Sequence, residues 1–417
     1  MKIALVADHL CLPSRADAYP GDPARRVLSL AQALAERDHT VTIYSRKESA
    51  GAADNAGAMN RSAGRSGSAG GRVGGRRARL TIERIQAGAQ QRLSGEDLLP
   101  HIASFADRLA DRWRPSAPDV IHAHFWTSGL AALAGTRGLG IPVVQTFHSL
   151  GSDTRHDDRA APGAAARIRL EASIGRSVQA VLAGTSEERA GLGRLGVAST
   201  SVRIVPAGVD TTLFRPSGPT AERGRTPRIL VVSPPGDQPE LVTVLCALKD
   251  LPPAELVVAG GPASSRLAGD PGCRALAALA RRLGLADRLT CIGKVREADM
   301  PALMRSADVL VHLTTARPFA VVPVEAMACG LPVIASEAHA DAVIHGNTGF
   351  LVPPAASADS ALLARRIGDL LANPMLHDGY RIAAASRATS RYSWERIGQE
   401  TEAVYETLLG PQVQAAA

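Results

Sequence analysis

Arg317-Pro318-Phe319-Ala320-Val321-Val322-Pro323-Val324-Glu325-Ala326-Met327-Ala328-Cys329-Gly330-Leu331-Pro332-Val333-Ile334-Ala335-Ser336 reads as a tight loop, a short helix and a buried strand. The helix is expected over Val324–Ala328 and the strand over Pro332–Ser336. Glu325 then stands where the loop turns into the helix. Short apolar runs alternating with helical stretches are one step of a βαβ rhythm.

The rhythm continues on both sides. Upstream, strands are expected at Ile229–Val232, Glu255–Ala259, Leu289–Ile292 and Val309–Leu313. Helices Leu241–Leu248, Arg274–Leu283 and Met300–Ser306 fall between them. Downstream come a strand at Gly349–Val352, a helix over Ser357–Leu371 and an amphipathic helix over Trp394–Leu408. The amino-terminal half repeats the pattern, with strands at Lys2–Ala7, Thr40–Tyr44, Asp119–Ala123, Pro142–Thr146, Ala180–Ala183 and Val202–Val205. Its helices are expected at Pro23–Glu36, Leu99–Trp113, Leu130–Thr136, Ala165–Val178 and Glu187–Leu195.

Alternation of this kind implies α/β architecture with two Rossmann-like, doubly wound parallel-sheet domains. A polar Pro/Gly stretch ending at Pro227 marks the boundary, giving domains 1–215 and 216–390. Residues 391–417 are expected to form a helix and tail that pack back on the first domain. Ligands of open α/β sheets bind outside the carboxyl ends of the strands, so a cleft between the domains is the expected site. The fold alone names no reaction.

Bulk properties narrow the class. A chain of 417 residues is too long for one ordinary core. It is 45% hydrophobic and 21% charged, as soluble globular proteins are. Its alanine, glycine and arginine content points to a high-GC, actinobacterial genome. The net charge is +7, and part of the excess sits in Arg61, Arg65, Arg72, Arg76, Arg77 and Arg79. These fall in 48–79, a Gly/Ala/Ser/Arg-rich stretch expected to be a disordered insertion. With no aromatics interleaved for base stacking, a solvated basic loop fits better than a nucleic-acid site. Five scattered cysteines form neither a disulfide framework nor a metal-ligand spacing, which suits a reducing cytoplasm. The opening residues turn polar too soon for a signal peptide, and no apolar run is long enough to span a bilayer.

Several segments carry chemistry. They are Val120-Ile121-His122-Ala123-His124-Phe125-Trp126, Val144-Gln145-Thr146-Phe147-His148, Val205-Pro206-Ala207-Gly208-Val209-Asp210, Gly260-Gly261-Pro262, Gly293-Lys294-Val295 and Gly346-Asn347-Thr348-Gly349. In this order and spacing they resemble the GT-B fold retaining glycosyltransferases of family four, in the sucrose-phosphate-synthase-like bacterial branch. The resemblance covers nearly the whole chain outside the insertion.

It implies roles residue by residue. Glu325 would accept both ribose hydroxyls of a donor nucleotide. Alternatively it is a helix glutamate stabilised by the macrodipole, but the surrounding motif favours ribose. Gly260 and Gly261 would approach the donor closely, although a plain turn explains them equally. The backbone at Lys294 and Val295 would meet the base, and Val321 and Val322 would lie beside the nucleotide. His148 would line the donor sugar and acceptor and polarise one of them. His124 would either pack internally or face the acceptor, and Trp126 would face the acceptor. Arg167 and Glu171, one helical turn apart, are either a surface ion pair or a pair facing a phosphorylated acceptor. His122 and His124 share one strand face, but no third ligand accompanies them, and the family's transfer needs no metal. No cofactor is expected beyond a nucleotide-activated sugar or cyclitol as co-substrate.

The pattern also breaks. The family follows the first strand of its second domain with an arginine and then a lysine that hold the donor diphosphate. Here those positions are Pro234 and Pro239, and Asp237 and Glu240 add negative charge. A cation about 4 Å from a phosphate is worth roughly 4 kcal/mol at an effective dielectric of ~20. Each ~1.4 kcal/mol of lost transition-state stabilisation costs about tenfold in rate. Replacement cations would be Lys294, Arg317 and Arg15, helped by the amides that open the Glu325 helix. Arg317 itself replaces a family glutamate that bonds donor sugar hydroxyls, and it offers donors only. In the loop after the first strand, Gly21-Asp22-Pro23 stands for a glycine-rich opening.

Two functions fit this pattern. One is face-retaining transfer of a sugar, or of an activated unsaturated cyclitol in natural-product synthesis, to a small acceptor. Arg317 and His148 would be the catalytic pair. The other is a catalytically inactive GT-B protein that binds a nucleotide or sugar, or partners an active transferase.

Overall fold

The computed structural model describes residues 1–8, 23–47, 79–88, 91, 93, 95–153, 163–236, 239–314, 321–354 and 359–410. Arg317, Arg15, Asp237, Gly21 and Asp22 lie outside them, as does the expected insertion except for its last residue. The described chain forms two compact units. One comprises the described residues of Met1–Ser14, Pro23–Pro206 and Ile397–Ala417, and the other Ala207–Arg396.

The first unit holds strands β1 (Lys2–Val6), β2 (Thr40–Arg46), β3 (Leu80–Ile85), β4 (Val120–His124), β5 (Val143–Thr146), β6 (Ala180–Ala183) and β7 (Val202–Ile204). Its helices are α1 (Pro23–Glu36), α2 (Ile102–Trp113), α3 (Trp126–Gly135), α4 (Ala164–Ser177) and α5 (Ser186–Arg194). The sheet is parallel throughout, in the order β3-β2-β1-β4-β5-β6-β7. Helices cover both faces, so β4 and β6 are buried at every position and read as unbroken apolar or weakly polar runs. On α1, Val27, Leu30, Ala31 and Leu34 are buried at helical spacing.

The second unit holds β8 (Arg228–Val232), β9 (Glu255–Ala259), β10 (Leu289–Gly293), β11 (Val309–His312), β12 (Val333–Ser336) and β13 (Gly349–Val352). Its helices are α6 (Pro239–Lys249), α7 (Pro271–Arg282), α8 (Met300–Ser306), α9 (Val321–Ala328), α10 (Ser360–Ala372) and α11 (Pro374–Tyr392). A final helix, α12 (Trp394–Leu409), starts in this unit and joins the first from Ile397 onward. The sheet order is β10-β9-β8-β11-β12-β13, again parallel. Alternate residues of one strand feed different cores: Ile229 and Val231 join one cluster, Leu230 and Val232 the other.

Strand order therefore reverses twice, between β1 and β4 and between β8 and β11. These switch points position whatever each unit binds.

Several elements differ from the sequence reading; among them, the helix expected at Leu130–Thr136 begins at Trp126. β3 was not expected; it is an edge strand whose residues are mostly half-exposed, so no apolar run announces it. α11 was not expected either, although Asn373 caps it through the Leu376 amide at 3.1 Å and Pro374 opens it. Its buried stripe of Tyr380, Ala384, Ala388 and Tyr392 is half alanine, which weakens the hydrophobic signal. Finally, the Glu325 helix begins at Val321 rather than Val324, because Pro323 is tolerated in a first turn whose amides need no partner. Glu325 thus lies in the second turn, not where loop meets helix.

Candidate functional site

The carboxyl ends of β4 and β5 carry a row of imidazoles. His122 and His124 are two residues apart and share a face, with ring centroids 4.2 Å apart. The His148 ring stacks on His124 at 5.2 Å and an interplanar angle of 26°. His124 Nδ1 lies 3.1 Å from His148 Nε2. His122 uses both nitrogens internally: Nδ1 is 2.7 Å from the Tyr405 hydroxyl, and Nε2 is 2.8 Å from Thr146 Oγ1. Burial pushes the His122 pKa well below its usual value, helped by the neighbouring His124 and His148. Burial alone lowers His124 to about 3. Both rings are neutral near pH 7.

The backbone beneath this row is strained. Phe125 has φ 72° and ψ 153°, a region that glycine alone occupies readily, and His148 has φ 64°. Each costs on the order of 1–3 kcal/mol unless its surroundings over-determine it. They do so here. The Phe125 amide donates to the Thr146 carbonyl at 2.9 Å, and the Gln145 Nε2 amide donates to the Phe125 carbonyl at 3.1 Å. Gly129 makes room for Gln145, since a Cβ there would lie 2.3 Å from Gln145 Oε1. The Phe125 and His148 rings then meet at 4.7 Å. Strain held in this way marks functional sites more often than structural ones.

Arg167 and Glu171 are not a surface pair. Glu171 is fully buried, and Arg167 Nε donates to its Oε1 at 2.7 Å. Glu171 Oε2 accepts from the Gly151 amide at 2.7 Å, while Arg167 Nη2 donates to the Ser149 carbonyl at 3.0 Å. The pair clamps the loop that leaves His148, and the Arg167 side chain keeps 25% exposure. Trp126, the first residue of α3, is buried directly after the strained Phe125. The structure thus brings His124 and His148 into direct contact and anchors the His148 loop on Arg167 and Glu171.

In the second unit, the loop after β8 lies over glycines. The Ser233 amide donates to the Ala259 carbonyl at 2.8 Å. A Cβ on Gly260 (φ 133°) would come within 2.8 Å of the Ser233 carbonyl, and one on Gly261 (φ 86°) within 2.6 Å of Pro235. Glycine is required at both positions by the proline loop itself. The Gly260 amide reaches the Gly293 carbonyl at 2.8 Å, and the Lys294 amide reaches the Pro262 carbonyl at 2.9 Å, which joins these turns at one sheet end. Lys294 and Val295 are half-buried.

Across the switch point, Glu240 is 2% exposed, and its Oε1 accepts from the Leu313 amide just past β11 at 2.5 Å. Burial raises the Glu240 pKa to about 7, against the pull of the Leu313 and Thr314 amides. The His312 ring lies tilted against that of His339 at 5.0 Å, and His339 Nε2 donates to the Thr314 carbonyl at 2.8 Å. On α9, Val321 is half-buried, Val322 is buried and Glu325 is 5% exposed. Sequence reasoning missed Phe125, Gln145, Thr146, Tyr405, His312 and His339 as members of these two clusters. Phe125, Gln145 and Thr146 lay inside the quoted motifs without a role of their own, and His312 had a readable signal in that it ends its strand as His124 ends β4.

Among the described residues, no group of three or more His, Cys, Asp or Glu side chains could hold a metal ion. No helix among them is long and apolar enough to cross a membrane.

Two doubly wound parallel sheets carried in tandem define the GT-B class. The fold matches sucrose-phosphate synthase from Thermosynechococcus elongatus with TM-score 0.74 and 24% identity, covering 100% of both chains. It also matches Anabaena HepE in complex with UDP and glucose, with TM-score 0.68 and 18% identity, over 97% of this chain and 99% of that one. Residues 23–213 match Glycosyltransferase Family 4, and residues 237–373 match Glycosyl transferases group 1. A D-inositol 3-phosphate glycosyltransferase of Streptomyces scabiei is 31% identical over 349 residues, 78% of this chain and 77% of that protein. A Mycobacterium bovis protein of the same name is 28% identical over 347 residues, 79% and 71% of the two chains. The chain belongs to glycosyltransferase family 4.

Proposed function

We propose that this protein transfers a sugar or sugar-like ring from a nucleotide-activated donor to a small phosphorylated polyol, with retention and without a metal. The donor would bind the second unit, with Glu325 accepting the ribose hydroxyls and Lys294 and Arg317 meeting the diphosphate. The acceptor would bind the first unit beside His124, Trp126 and His148. The observation that carries this reading is the strained, over-determined imidazole row with the Arg167 clamp beside it. The Arg167 side chain, 25% exposed there, suits a phosphate on the acceptor. The names of the relatives, which specify an inositol 3-phosphate, support the same acceptor chemistry.

In the proposed step the bond from the anomeric carbon to the diphosphate breaks. An acceptor oxygen bonds to that carbon on the same face, and its proton passes to the departing phosphate. Such a route depends on orientation and charge stabilisation more than on a protein nucleophile. In a variant of this reading, an activated unsaturated cyclitol replaces the sugar, and Arg317 meets an anionic ring substituent.

One observation favours a second reading, a catalytically inactive GT-B protein. The loop where the family carries its diphosphate cations is built from Pro234 and Pro235 packed on Gly260 and Gly261, with the acidic Glu240 buried close by in sequence. Calorimetric titration with UDP, GDP, ADP and dTDP on wild type and Glu325→Ala tests both. Micromolar binding that disappears in the variant supports the donor site, and turnover of a nucleotide sugar or activated cyclitol then supports the enzyme. Binding without turnover supports the inactive module, and no binding to any nucleotide removes the donor site.

A further inference from the structure

His124 and His148 share one hydrogen bond, so only one of them can supply its proton. If His148 donates from Nε2, the neutral His124 must carry its own proton on Nε2. That atom is buried and has no hydrogen-bond partner among the described residues. Orphaned buried N–H groups are rarer in folded proteins than acceptors left short of a partner. The alternative avoids this penalty: His124 donates from Nδ1, and only a lone pair is left unpaired. Burial keeps His124 neutral, so it cannot supply both protons.

We infer that His124 is a positioning residue that fixes the tautomer of His148. His124 Nδ1–H donates to His148 Nε2, so His148 is neutral, carries its proton on Nδ1 and acts as a hydrogen-bond donor rather than a base. Three features hold the arrangement. The His122 ring lies against His124 and has both nitrogens engaged by Tyr405 and Thr146, so it offers neither an alternative partner nor a charge. The left-handed His148 backbone and the Phe125 ring fix the imidazole plane. The Arg167–Glu171 clamp holds the loop beyond it, which keeps His148 from swinging away. Protonating His148 would set two N–H groups against each other across 3.1 Å, or force the His124 proton onto its partnerless Nε2.

A neutral donor suits a step in which the acceptor proton goes to the departing phosphate. This consequence rests on the proposed function, but the tautomer does not. Long-range proton–nitrogen NMR of histidine-labelled full-length protein reads it directly, with His148 assigned by comparison with His148→Gln. The expected wild-type result is an Nδ1–H tautomer that does not titrate between pH 5.5 and 8. His124→Phe should release His148 to the more common Nε2–H form, titrating within about a unit of pH 6.5. His124→Asn, whose amide N–H replaces Nδ1–H, should restore the wild-type pattern. Turnover should fall roughly tenfold in His124→Phe, mainly in kcat, and recover in part in His124→Asn. An Nε2–H tautomer or an ordinary titration in wild type overturns the inference, with no need of any variant. The expected tautomer with unaltered turnover in both variants would leave the inference standing and count against His148 in the proposed reaction.

Discussion

At the scale of single residues, buried ionisable groups separate the two units. In the first, His122 and His124 are kept neutral by burial. In the second, Glu240 is a buried acid whose pKa rises from 4.5 to about 7. Folding therefore takes up a proton between those two values. The stability that Glu240 contributes is fully present below about pH 4.5, declines as the pH rises towards 7 and is gone above it, whereas the buried neutral His122 and His124 act in the opposite sense and add stability as the pH rises towards 6.5. The full decline is worth roughly 3 kcal/mol. The difference in urea unfolding between wild type and Glu240→Gln from pH 5 to pH 8 checks this: it should follow that decline, and a difference that does not change with pH would overturn it. Gly260 makes a second residue-scale prediction. A methyl group there meets the Ser233 backbone at 2.8 Å on a φ of 133°. Gly260→Ala should cost about 2–4 kcal/mol and weaken nucleotide binding, measured by chemical denaturation and calorimetry. Little change in either would mean that the proline loop yields easily.

At the scale of elements, α11 has the most to explain, because it supports the helix that carries Glu325. It packs along α9 through Ala384 and Ala388, which are both fully buried. Polar ties fix its position: Arg381 Nε donates to the Gly330 carbonyl at 3.2 Å, Arg387 Nε to Ala342 at 2.8 Å and the Tyr392 hydroxyl to Asp341 at 2.7 Å. Small residues at the seam let the two helices approach closely. Ala384→Leu should therefore overpack the seam, cost about 1–3 kcal/mol and lower nucleotide affinity by displacing α9. Asn373→Ala, which removes only the cap, should cost about 1 kcal/mol and leave affinity unchanged. Equal effects on affinity would show that α9 does not depend on the seam.

At the scale of the whole molecule, each unit has its own core, and α12 is covalently common to both. Within the first unit, Tyr405 bonds His122, and Glu402 accepts from Arg37 and lies 2.8 Å from His39. A chain ending at Ser393 should lose stability in the first unit while the second keeps its nucleotide affinity. Differential scanning calorimetry of the full protein should resolve two transitions. A nucleoside diphosphate should raise only one of them, by about 2.7 kcal/mol at a hundredfold excess over Kd. A single transition that shifts as a whole would mean that the units unfold together.

Most strands and helices were legible, because apolar runs broken by Gly, Pro and polar clusters encode local structure within a dozen residues. The family motifs singled out His148, Arg167, Glu171 and Glu325 as expectations, and the structure shows His148 against His124 and Arg167 paired with Glu171. β3 and α11 escaped because an edge strand and an alanine-rich helix bury too little apolar surface to stand out. Tertiary structure alone revealed the contacts that make chemistry: a tyrosine 283 residues away on His122, a glutamate withdrawn from water at Leu313, and an imidazole pair with one proton between them. Burial of a polar group and the partner it finds depend on how distant segments pack, and neither leaves a periodic trace along the chain.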